Sequence, residues 1–150
     1  MSGKRILNGF IAGFLATLIF HQLAVAILHA IGMAPFGAWN FAATAPLGIP
    51  AVLSLSFWGG IWGILMMLVH QRFGQGRKYW VNAFLFGGIV TSFVALFIVV
   101  PMKGGPLGGG FAPALLLTVF IINGVWGIAT AWLYRVLGSL LGDQSASHPA

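Results

Sequence analysis

Residues 59–69 read GGIWGILMMLV, and residues 123–133 read NGVWGIATAWL. The pattern Gly-[Ile/Val]-Trp-Gly-Ile thus recurs at a separation of 64 positions, each time inside a stretch without a charged side chain. Such stretches belong to four apolar runs, near 5–31, 51–70, 80–101 and 112–137. Each is about the length needed to cross a hydrocarbon core of roughly 30 Å, which takes about 20 helical residues. Polar or Gly- and Pro-rich segments join them: 32–50, HQRFGQGRKYW (70–80) and 102–111.

Composition agrees. Hydrophobic residues make up 59% of the 150-residue chain and charged residues only 5%, against about 25% charged in soluble domains. Too little charge remains to cover a water-facing surface. The expectation is an all-α integral membrane protein with one four-helix domain over 1–141. The tail GDQSASHPA (142–150) reads as disordered, since it has no apolar periodicity.

The net charge of +6 does not imply a nucleic-acid partner, because the cations are scattered between apolar runs and form no patch with stacking aromatics. The bilayer is the expected partner. There is no cysteine, and the one acidic residue is Asp143 in the tail. Thiolate nucleophiles, iron–sulfur ligation, carboxylate pairs and carboxylate metal cages are therefore excluded, and no enzyme, cofactor or metal is expected.

Lys and Arg beside the spans set orientation. Lys4, Arg5, Arg72, Arg77, Lys78 and Arg135 fall on one side, and Lys103 alone on the other. Both termini are therefore expected in the cytoplasm. A rival reading makes the first run a cleaved leader, with Lys4–Arg5 as its basic region and Ala24-Val25-Ala26 as its cleavage pattern. The run is long for a leader, and the repeat described next favours its retention.

Helix 1 opens NGFIAGFLAT (8–17) and helix 3 opens NAFLFGGIVT (82–91). PLGIP (46–50) and PLGGG (106–110) follow, and then the two Trp-Gly-Ile stretches. This order of three features predicts two copies of one helical hairpin, about 5–70 and 79–137, in the same orientation, like the parallel repeats of some transporters. Small residues recur at four-residue steps: Gly9, Gly13 and Thr17; Ala83, Gly87 and Thr91; Gly59 and Gly63; Gly127 and Ala131. That spacing lets helix backbones approach closely in lipid, within the bundle or across a homodimer. Trp39, Phe41, Tyr79, Trp80 and Tyr134 read as an interfacial belt. Trp58, Trp62 and Trp126 read as fillers of grooves opposite glycine, or as pocket walls.

Counting 1.5 Å per residue from the outer helix ends places His21, Thr91 and Asn123 together near the bilayer middle, with Gln22 and Ser92 beside them. His21 continues the Gly9–Gly13–Thr17 stripe by one more step of four, so it is expected to face the bundle interior. His21, Thr91, Ser92 and Asn123 are thus either the lining of a small ligand cavity or a set of hydrogen bonds between helices. His29 and His70 read as boundary residues, which leaves no matched pair for haem. The basic linker and Lys103 read as orienting and headgroup-contacting groups.

GFIAGFLATL (9–18), the Gly-Met-x-Pro turn at 32–35 and PMKGGPLGGG (101–110) before a Gly-rich last helix together resemble small four-helix bacterial inner-membrane proteins, a family without an assigned function. The resemblance implies a four-helix fold in a bacterial cytoplasmic membrane, and it transfers no site residue. The functional expectation is an accessory or scaffold subunit, partnered by other membrane proteins or by copies of itself. The alternative is an oligomeric transporter or channel for a small neutral solute.

Overall fold

The computed structural model describes residues 3–140; the tail at 142–150, with Asp143 and His148, lies outside the described residues. Four helices dominate: Gly3–Ala30, Ala51–Phe73, Gly76–Met102 and Pro113–Leu140. Each is long and apolar enough to cross a membrane. The described strands are Ala43–Thr44 and Ile49–Pro50, which pair antiparallel at the entrance to the second helix.

The connection between the second and third helices is shorter than hydropathy implies. The linker expected over 70–80 is mostly helical: His70–Phe73 forms a tight 3₁₀ turn, and the third helix starts at Gly76. Gly74 makes the reversal at φ +81°, ψ −160°, a conformation that a Cβ disfavours. Near the other end, Gly108, Gly109 and Gly110 take φ of 61°, 63° and 73° in succession and Phe111 follows at 55°, a left-handed run that glycine enters at little cost.

The first helix packs against both the second and the fourth, and the third packs against the fourth. These apolar helices gain little by hiding from lipid, so close contact depends on small residues. A methyl added to Gly13 would strike the Gly59 carbonyl oxygen, and one added to Gly63 would strike that of Gly9. Between the third and fourth helices, a methyl on Gly87 would meet the Asn123 carbonyl oxygen, and one on Gly127 that of Ala83. Thr17 closes the first contact by lying against Gly59. The glycine and threonine stripes are thus occupied inside the bundle.

Large rings fill the remaining grooves, but phenylalanine does this more than tryptophan. Phe10 lies over Gly60, Phe84 over Gly124 and Phe120 over Gly88. Trp126 is buried and donates its indole N–H to the Gly13 carbonyl at 3.2 Å. Trp62 lies edge-on to Phe86, whereas Trp58 is exposed. Tyr79, Tyr134 and His70, expected at the boundary, are instead buried. They pack together with Phe73 where the second, third and fourth helices converge. Proximity to a span end does not expose a ring when the neighbouring helices extend past it.

Gly13→Ala or Gly87→Ala should destabilise the folded protein by about 1–3 kcal/mol, the usual cost of overpacking. Gly37→Ala, where a methyl meets nothing within 4 Å, should leave stability unchanged. Denaturation of the purified protein in one detergent would compare the three.

Candidate functional site

The polar residues form a chain whose direction follows from donor chemistry. The backbone N–H of Trp39 donates to Gln22 Oε1 at 2.7 Å. A backbone N–H cannot accept, so the Gln22 amide is oriented with Nε2 on its other side. That Nε2 lies 3.3 Å from His21 Nδ1. An amide nitrogen only donates, so in the neutral imidazole Nδ1 accepts and Nε2 carries the proton.

The Asn123 side chain lies on the far side of the ring, close enough to interact with it. Asn123 Nδ2 donates to Ser92 Oγ at 2.9 Å, and that hydroxyl donates to the Val119 carbonyl at 3.3 Å. Two directional hydrogen-bonded segments, from the loop to His21 and from Asn123 through the third helix back to the fourth, therefore meet where His21 lies beside Asn123.

Of the four residues expected to cluster, His21, Ser92 and Asn123 are joined in this way. Thr91 is not, since its hydroxyl donates to the Gly87 carbonyl of its own helix. Thr17 does the same to Gly13 at 2.9 Å. Relative to the middle of each helix, His21, Ser92 and Asn123 lie displaced by about 4–7 Å toward the Lys103 end. The layer is therefore off-centre, because the helices extend further at the cation-rich end than the apolar runs do.

Wide π turns over Ala16–His21 and Phe86–Thr91 place these side chains. Such a turn inserts one extra residue into the α-helical ladder and is frequent at functional sites. The buried stripe of the first helix, Gly9–Gly13–Thr17, consequently passes to Gln22, which is 4% exposed. His21 is only partly buried and reaches Asn123 from the edge. Side-chain hydroxyls bonding back to helical carbonyls loosen the ladder, and Thr17 and Thr91 do so at these two places.

Sequence reasoning missed Trp39 altogether as a site residue. Its indole N–H donates to the Leu18 carbonyl at 3.0 Å, about 18 Å along the first helix from Ala30. The 32–50 segment therefore folds down against the first helix. Trp39 holds φ +48°, uncommon for a bulky residue; its two hydrogen bonds and the pairing of Val52 N–H with the Asn40 carbonyl hold that segment in place. A positive φ on a non-glycine residue leaves no mark in composition or periodicity.

Chemically, the series is a tie between helices. Each amide and hydroxyl in it has a protein partner, and the two amides interrupt any proton relay. Among the described residues no group of three or more His, Cys, Asp or Glu could hold a metal ion. His29 stands apart: it is exposed, and its Nδ1 lies 2.9 Å from the Ala34 carbonyl at the end of the first helix.

His21→Ala and Asn123→Ala should each destabilise the protein. The double variant should lose less than the sum by about 0.6 kcal/mol, the mean for such pairs in membranes. A double-mutant cycle by denaturant titration reads this coupling, and strict additivity would mean the two side chains do not interact.

The sequence matches no family model, and the curated proteins and the solved structures provide no counterpart to it.

Proposed function

We propose that this chain is a non-enzymatic membrane subunit of accessory or scaffold type, built from two parallel copies of one helical hairpin. The observation that carries the reading is the series of polar contacts from Trp39 to Val119, in which the polar groups inside the spans are engaged with one another. Groups committed in this way hold helices in register and leave little to bind a solute.

Matching contacts support the hairpin repeat. Gly13 against Gly59 corresponds to Gly87 against Asn123, and Phe10 over Gly60 to Phe84 over Gly124. Thr17 bonds Gly13 as Thr91 bonds Gly87. Asn8 Nδ2 donates to the Tyr134 carbonyl of the second half, and Asn82 Nδ2 to the Phe73 carbonyl of the first. This reciprocal exchange fits a two-fold axis along the membrane normal.

The location we propose is a bacterial cytoplasmic membrane with both termini inside, since six of seven cations lie at one end of the bundle. Because the glycine faces are covered within the chain, a protein partner would meet the outer aromatic surface, which includes Phe57, Trp58 and Phe93. A second reading, an oligomeric path for a small neutral solute, draws on the partial exposure of His21. Another copy docked there would place the imidazole between subunits.

Native mass spectrometry of protein extracted gently from its own membrane discriminates the two. The accessory reading expects a defined complex with a different protein; a homo-oligomer carrying a reproducible small-molecule mass would replace it with the solute reading. Orientation has its own test. With an impermeant thiol reagent applied to intact cells, Leu107→Cys should be labelled and Gln71→Cys should not.

A further inference from the structure

Toward the cation-rich end lies a second polar locus, separate from the His21 series. A cavity of about 10 Å³ sits between the second, third and fourth helices, and its walls include Met66, His70, Tyr79, Thr130 and Tyr134. That volume is about one water-sized sphere. Tyr79, Thr130 and Tyr134 are 1%, 2% and 3% exposed. None of their hydroxyl oxygens has a hydrogen-bond partner among the described residues.

Three buried hydroxyls around one small space are a specific chemical situation. Leaving each unbonded is unfavourable, because its hydration is lost with nothing in exchange. A hydroxyl can donate or accept, so the trio suits a ligand that does both. The other walls are sulfur, imidazole and methyl groups, with no carboxylate to hold a cation. The nearby guanidinium of Arg135 lies over the rings of Tyr79 and Trp80, at 5.3 and 5.7 Å from their centroids, and is not part of the wall. Size, the absence of a carboxylate and dual hydrogen-bonding capacity together select one small molecule.

We infer that this cavity is a binding site for a single ordered water, held by the hydroxyls of Tyr79, Thr130 and Tyr134. The water ties the third helix to the fourth across the place where His70 of the second packs edge-on against both tyrosines. It does at this end of the bundle what the His21–Asn123–Ser92 contacts do nearer the other, with solvent as the bridging group.

Tyr79→Phe and Tyr134→Phe test the assignment without a change of shape, because each keeps its ring beside His70 and, for residue 79, under Arg135. If water is bound, each variant melts at a lower temperature than the parent in the same detergent, and the double variant falls by less than the sum. Magnetization transfer from water to the ring protons flanking the two hydroxyls should also be seen in the parent and be lost in the double variant. If the hydroxyls are unsolvated, deleting one relieves a cost, so an unchanged or raised melting temperature would overturn the inference. Replacement of chloride by bromide in the buffer should leave the parent's melting temperature unchanged; a dependence on the halide would assign the site to an anion.

Discussion

Helix backbones in this protein touch where glycines face one another or the main chain of a neighbouring helix, as at Gly13 with Gly59 and Gly127 with Ala83. In water the apolar surfaces would be driven together whatever their shape, but against lipid tails that drive is largely absent. Adhesion then depends on how closely two backbone surfaces can lie. At Gly13 facing Gly59 and Gly63, no room is left for even one methyl group. That approach sets the depth of the second helix against the first, and the contact of Gly87 and Gly127 does the same for the third and fourth. Trp126 of the fourth helix donates to the Gly13 carbonyl of the first, which ties the two close-packed pairs to each other.

Two polar loci are consequences of this fixed depth, and they are satisfied differently. Near the Lys103 end, loop and helices supply each other's donors and acceptors, so the series from Trp39 to Val119 is complete within the protein. Near the basic end, convergent tyrosines and a threonine present three hydroxyls to a space too small for another side chain. A hydrocarbon surround gives unpaired groups no alternative partner. Each locus therefore constrains which helices can be neighbours, more than it adds to the strength of their attachment.

Much of this arrangement was legible in the sequence, for reasons that can be named. The glycine stripes could be read because close packing leaves a four-residue signature that no other property of these helices mimics. His21, Ser92 and Asn123 could be brought to one depth because helical rise converts residue counts into distance. Gln22 could not be given its buried place, since the wide turn at Ala16–His21 interrupts the periodicity on which such reasoning depends. The burial of Tyr79, Tyr134 and His70 near the span ends has no mark in hydropathy, which reports distance from a span end and nothing about which helices surround it. The descent of Trp39 to Leu18 leaves no mark there either, because it rests on loop geometry that involves residues far apart in the chain.

The wide turn in the first helix has a mechanical meaning of its own. A straight helix must present one continuous face, so a residue chosen for backbone contact at one end dictates which residues face inward at the other. One additional residue in the middle rotates everything beyond it by about 100° and breaks that dependence. Below the turn the helix keeps the face that adheres to its neighbour; above it, the inward face is chosen afresh for hydrogen bonding. Two incompatible demands on a single rod are thereby separated by a joint, and either segment can be altered without re-aiming the other.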